Sequence, residues 1–465
     1  MTVARELARF ALKFKYEDFP PAVVHETKRA MLDALGCALG GYPSSASRIM
    51  QEVIQELGGP EEATVIGSGA RTSCLNAILA NGVMVRYLDF NDTYLVPVGD
   101  SVLGNHPSEI IPAILALAER EKLNGKDVLR AIVVGYELSA RFNDCAFTPG
   151  AADSTIEAKG WNTDTRGAFV MPIVTGMLLG LNEEQMEHAI GISGSHNMIL
   201  GILDATGEAY NMTKNLRFPR TAYGGLLAAL MARRGFTGPT RVIEGNKGFV
   251  KSVMRGEFNV AGLTEPVGRF KILDTMYKYV AADATTHGHV TATLDLVRSH
   301  RIKPEDVVQV HIRGGTRCIE HTGDPVKRYP TNKESADHSS YYLTAIAILD
   351  GRVGPDQYTP QKLEDPKVRQ MIDRVRLEPD PALDRFGRAG SSEIRMRNGD
   401  IYRQLVEYPK GDPKNPMTDQ EIEDKFRLMA EKLMPQAQIR KAVSAVNDLE
   451  HLETVSGLMG ALVKG

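Results

Sequence analysis

The hydrophobic period of this chain changes near Gly262, and that change limits its fold more than any other feature. Before it, apolar residues recur at three/four spacing. Over 22–40 the face is Val23, Val24, Thr27, Ala30, Met31, Ala34, Leu35 and Ala38, stopped by Gly40-Gly41. The same period runs through 73–88, 108–121, 126–144, 168–180, 183–193 and 222–234, where Gly224-Gly225 allows close helix–helix approach. After Gly262 the text alternates. Val308, Val310 and Ile312 mark a strand, and residues 392–408 read as a hairpin turning at Asn398-Gly399. A helix is expected between them at 334–350. Helical spacing returns at Asp419 with Ile422, Phe426, Met429 and Leu433, then Ala442, Val446 and Leu449. That tail cannot form a domain alone, so it is expected to pack on the N-terminal helices. The predicted fold is mainly α with an α+β second domain. Residues 1–262 and 412–465 form a helical domain that encloses an α+β domain at 265–410.

Composition excludes several classes. A length of 465 residues suffices for two or three domains. A net charge of −3 gives no support for nucleic-acid or anionic-membrane partners. The uncharged stretches 167–182 and 188–203 are too short to span a bilayer. Cys37, Cys74, Cys145 and Cys318 are scattered without metal spacing, and reduced thiols in a cytoplasmic protein are expected. No signal-peptide core follows Met1. There is no dinucleotide fingerprint, Walker A loop, nucleophile elbow or His-Glu-x-x-His.

Chemistry concentrates in Tyr87-Leu-Asp-Phe-Asn-Asp-Thr-Tyr94 and His106-Pro-Ser-Glu-Ile-Ile-Pro-Ala113. Asp89, Asp92 and Thr93 end one helical run. Past a loop rich in Gly, Val and Pro, His106 stands where the next helix begins, with Pro107 suited to its first position. An imidazole held by carboxylates is a common acid/base device. Taken alone, an acidic loop before a helix more often is a solvated turn. The segment also resembles the "LDFDD…HP" signature of the MmgE/PrpD family, which includes 2-methylcitrate dehydratases, cis-aconitate decarboxylases and iminodisuccinate epimerase.

Further segments carry the resemblance along nearly the whole chain. Residues 212–225 place Lys214 at the family's lysine and Arg220 at its arginine, with Pro219 where a glycine is usual. Arg234–Gly248 matches a turn-rich stretch of the family. Lys278 and His287 match a lysine and a histidine of another element, whose proline and cysteine are Ala281 and Asp283 here. Asp337 and His338 fall at a helix start and are expected to orient the face between the domains. The main departure lies in Lys159–Gly167. Family members carry a histidine in that loop, but the corresponding positions are Trp161 and Thr163. A Gly/Ala/Asp-rich loop, 145–158, precedes it.

The resemblance implies an active site between two domains, a homodimer, and a lyase for a small di- or tricarboxylate that removes the proton α to a carboxylate. In that reading His106 is the acid/base, oriented by Asp89 or Asp92, and Thr93 and Thr163 meet substrate. Lys214 and Arg220 hold carboxylates, and Lys278 with His287 closes the cleft. A dehydratase like that for 2-methylcitrate is the simplest case. An epimerase, a decarboxylase or a catalytically silent carboxylate-binding paralogue are the alternatives. No cofactor is expected, and no metal: His287 and His289 have no third ligand at a fixed spacing.

Overall fold

The computed structural model describes residues 1–98, 101–146 and 155–464. The chain is mainly α, with two short antiparallel strand pairs in its first part and a four-stranded sheet in its later part. The helices Pro21–Gly41, Cys74–Tyr87, Ile111–Glu121, Gly125–Cys145, Gly167–Leu178 and Glu183–His196 lie where the period puts them. Three of these starts are capped by a side chain. Ser73, Asn124 and Asn182 each accept a backbone N–H from the first turn. Glycine sets the closest approaches. A Cβ at Gly41 would stand 2.2 Å from the Met84 carbonyl oxygen, and one at Gly225 would stand 2.4 Å from Met171 Cβ.

Four differences from the sequence reading have local causes. The helix expected at 222 begins at Arg217 and runs to Arg233, because Pro219 is tolerated in a first turn, where its missing N–H costs nothing. The segment 334–350 is two helices, Lys333–Ala336 and Ser340–Asp350, since Ser339 accepts the Tyr342 N–H and restarts the chain. The loop before His106 is an antiparallel hairpin, Tyr94–Val98 with Ser101–Asn105. A strand at Val375–Pro379 went unread, because its alternation covers only Val375 to Glu378 before Pro379 stops it.

The four-stranded sheet is ordered Val375–Pro379, Val307–Gly314, Gly390–Met396, Ile401–Val406. The first pair is parallel and the others antiparallel. The hairpin turns at Asn398-Gly399, and Gly399 takes φ +93°. Two buried apolar clusters result. One joins Leu35 and Ala38 of the early helices to Phe426, Ile439 and Val446 near the C-terminus. The other packs Val310, Ile312 and Ile394 of the sheet against Leu343 and Ile346. Among the described residues no helix is long and apolar enough to cross a membrane, and the four cysteines are free and buried.

Candidate active site

Asp89 is the hub. The helix Cys74–Tyr87 ends one residue before Leu88, and Asp89 turns left-handed at φ +48°, a conformation that aspartate tolerates better than most residues. That turn folds its carboxylate back onto Arg86 at 2.6 Å. Lys278 Nζ reaches the same oxygen at 2.6 Å, and Lys214 Nζ reaches the other at 3.2 Å. All four side chains are buried. Burial alone would raise the Asp89 pKa, but Arg86, Lys214 and Lys278 together hold it well below the ordinary carboxylate range. The charge chain continues outward. Lys214 also meets Asp337 at 3.1 Å, and Asp337 takes Lys333. Burial lowers the Lys214 pKa to about 8, against the pull of Asp337 and Asp89. Removing one member of such a buried set leaves its partners as uncompensated charges, at about 3–5 kcal/mol.

His106 precedes the short turn Pro107–Ile110. Its Nδ1–H donates to the Asp92 carbonyl at 2.7 Å, which selects the tautomer with an unprotonated Nε2. Among the described residues Nε2 makes no hydrogen bond. Burial, then Arg86 and Lys278, hold the imidazole pKa well below the usual range, so the ring is neutral. The Asp92 carboxylate is not its partner. It accepts the Ser108 N–H at 3.1 Å and the Tyr136 hydroxyl at 2.6 Å, and so fixes the turn that carries the histidine. Burial and nearby Asp33 push the Asp92 pKa up to about 6.

A cavity of about 110 Å³ opens between the helical part and the later segments. His106, Thr93, Thr163, Asp164 and Arg217 line one side, and Asp283, His321 and His338 line the other. Of the residues singled out from sequence, His106, Thr93 and Thr163 therefore reach the cleft. Asp89, Lys214 and Lys278 are buried outside its lining and tie its walls together. Thr93 Oγ1 donates to the Asn105 carbonyl at 3.1 Å. His287 is fully buried and does not line the cleft; burial first, then Lys278, push its pKa down to about 3. Arg220 is exposed, its guanidinium 5.2 Å from the Tyr223 ring centroid. The early helix start explains this. Arg217, in the first helical position, turns inward to Asp204 at 2.7 Å and Asp164 at 3.7 Å, while Arg220 lies almost a turn further along on the outside.

The loop that lacks the family's histidine forms a short turn, Thr163–Arg166, capped by Asn162. Residues 147–154 of the preceding loop lie outside the described residues. Arg166 pairs with Asp164 at 2.8 Å and donates to the His106 carbonyl at 3.1 Å. Glu109, between Arg86 and Arg166, has its pKa raised to about 8 by burial and Asp164. Sequence reasoning passed over Arg86, Arg217 and His321. Arg86 had a readable signal, since it stands three residues before Asp89 at a helix end. His321 had none, because its partner Tyr210 is 111 residues away.

Among the described residues two groups of donors come within 4.8 Å of one another: Asp89, Asp337 and His338, and Asp283, His321 and His338. The Lys214 ammonium already fills the first, 3.2 and 3.1 Å from its two carboxylates. The second opens on the cleft.

A buried arginine–lysine cluster, a fixed neutral imidazole and a small polar cleft stand together, an arrangement chemically able to do acid/base work on an anion. Comparison with known proteins supplies the family. The MmgE/PrpD N-terminal domain matches residues 5–261 and the MmgE/PrpD C-terminal domain matches 280–450. The chain belongs to the MmgE/PrpD family. It is 26% identical to a cis-aconitate decarboxylase of Aspergillus terreus, over 99% of this chain and 96% of that protein. A cis-aconitate decarboxylase of Mus musculus is 24% identical over 100% of this chain and 94% of its own length. A 2-methylcitrate dehydratase of Cupriavidus necator is 23% identical over 95% and 93%.

Proposed function

We propose that this protein is a lyase that removes the proton α to a carboxylate of a small di- or tricarboxylate, most simply a hydro-lyase of the 2-methylcitrate dehydratase kind. The observation that carries the reading is His106: neutral, fixed through Nδ1 by a backbone carbonyl, and lining a cleft with Arg86 and Arg217. A neutral imidazole is prepared to take a proton rather than give one, which starts an elimination. The developing enolate charge falls near Arg86, and fixed cations of this kind stabilise such charge by several kcal/mol. Arg217 receives a substrate carboxylate in exchange for part of its pairing with Asp164 and Asp204. Asp89, Lys214 and Lys278 keep Arg86 in place, and Thr93 and Thr163 meet the substrate's hydroxyl and carboxylate oxygens. The reading includes a homodimer in the cytoplasm, resting on the family resemblance and on four free cysteines.

Decarboxylation is the second reading, favoured by the decarboxylases of the fungal and mammalian relatives and by a loop without an imidazole, since loss of carbon dioxide needs one proton donor and no separate acid for hydroxide. Product analysis by NMR in heavy water separates the two. With 2-methylcitrate, the hydro-lyase gives an alkene and water. With cis-aconitate, the decarboxylase gives carbon dioxide and a deuterated dicarboxylate. Absence of both turnover and α-proton exchange on every polycarboxylate offered would remove the enzyme reading and leave a silent binder.

A further inference from the structure

We infer that Asp283, His321 and His338 form a binding site for one divalent transition-metal ion of the zinc class, open to the cleft. One donor atom from each lies within 4.8 Å of the other two. Ligands at about 2.1 Å around a tetrahedral ion stand about 3.4 Å apart, so shifts of about 1 Å in side-chain position close the set.

Three independent features favour an ion there. The first is charge. Asp283 is mostly buried at the cleft, and among the described residues no lysine or arginine pairs with its carboxylate; its only ion contact is His338 Nε2, 3.8 Å from Oδ2. The other acidic groups nearby, Asp89, Asp337 and Asp204, each have such a cation. The second is lone-pair conflict. His338 Nδ1 sits 2.5 Å from Asp337 Oδ1 and donates its proton there, which points the Nε2 lone pair at two carboxylates, Asp283 and, at 3.4 Å, Asp89. A cation between them relieves that repulsion. The third is orientation. Metal-bound histidines generally give their second ring nitrogen to a carboxylate or another acceptor. Asp337 does this for His338. Tyr210 does it for His321, accepting the Nε2–H at 3.2 Å while donating its own proton to Asp204, which leaves Nδ1 for the ion.

Two nitrogens and one carboxylate oxygen suit zinc and its neighbours rather than calcium or magnesium, and three protein ligands leave a position facing the cavity. The three donors come from segments 283, 321 and 338, with no common spacing, which is why the sequence alone points to no such site. The inference does not depend on the reaction proposed above, because its test reads metal and not turnover.

The full-length protein, stripped with a chelator and dialysed, is titrated with Zn²⁺ by calorimetry. One Zn²⁺ per chain is expected, with His321→Ala and Asp283→Asn each weakening binding at least thirtyfold while circular dichroism stays that of the wild type. Co²⁺ added to the wild-type protein asks the same question without a variant, and the intense visible absorption of a four-coordinate ion is expected. No saturable Zn²⁺ binding, a weak octahedral Co²⁺ spectrum, or binding undiminished in either variant would overturn the site.

Discussion

Two hollows in this molecule are built on opposite plans. The larger, about 1350 Å³, runs along the helices Pro21–Gly41 and Asp419–Ala430, and Leu39, Leu88, Phe90, Val280 and Leu433 form much of its wall. Two lysines on its border are paired, Lys425 with Asp33 at 2.6 Å and Lys432 with Asp356 at 2.5 Å. The smaller, about 110 Å³, has three imidazoles, three arginines and several carboxylates converging on it. Volume and apolar lining ordinarily mark a ligand site, but perturbed ionisable groups with specific partners mark chemistry. Here the two signs separate. The proposed reaction belongs to the small cleft, where the perturbed groups converge, and not to the large groove.

The sharpest way to break that contrast is to remove the hub behind the small cleft. Asp89→Ala leaves Arg86, Lys214 and Lys278 buried without their shared counter-ion, and a loss of about 3–5 kcal/mol of stability is expected, with activity lost as well. Denaturant titration reads it, and an unchanged midpoint would show the cluster to be loosely held. Next in size is Arg217→Met, at the mouth of the cleft. A charge-assisted pair with substrate is worth about 1.5–3 kcal/mol, so kcat/KM should fall by one to two orders of magnitude, chiefly through KM. A fall in kcat at constant KM would move Arg217 from binding to chemistry.

Stability against pH sharpens the comparison further. His287 and His289 are buried, and burial pushes both pKa values down to about 3. Unfolded, each takes a proton near pH 6.5. The unfolded chain therefore binds more protons between pH 6.5 and about 3, and stability falls with pH across that window. The slope is about 1.4 kcal/mol per pH unit for each histidine once the pH is well below 6.5. Asp92 works the other way: its folded value of about 6 exceeds the unfolded one, so it gains stability as pH falls from 6 towards 4. Glu109, raised to about 8, also gains as pH falls, but His106 and His321 are held low as well, so four histidines against two carboxyls leave a net loss, read as a lower urea midpoint at pH 5 than at pH 7. A midpoint that rises instead would contradict the burial of the histidines. The smallest effects belong to the large groove and the outer helix face. Leu428→Ser, at the border of the large groove, and Arg220→Ala should each leave kcat/KM within twofold. A tenfold loss in Leu428→Ser would give the groove a part in catalysis.

The same contrast explains what could be read in advance. Periodicity located the long helices, and Asn398-Gly399 located the hairpin, because both signals are local. The strand Val375–Pro379 escaped, since its pairing with Val307–Gly314 is parallel and its text is charged. Thr93 and His106 at the cleft, and Asp89 behind it, could be picked out because one helix end and one helix start carry them. The choice of Arg220 over Arg217 missed because it depended on where Pro219 falls in a helix turn. Asp283 and His321 were invisible as partners, because only the tertiary fold brings residues 283, 321 and 338 together.

Exchange of the substrate α-proton in heavy water, followed by NMR for wild type and His106→Ala, tests the assignment of chemistry to the small cleft most directly. Wild type should exchange or turn over a 2-methylcitrate- or aconitate-type polycarboxylate. His106→Ala should lose 10²–10⁴-fold of that rate with an unchanged melting temperature, the usual range for a general base. Near-normal exchange in folded His106→Ala would contradict the assignment of the cleft.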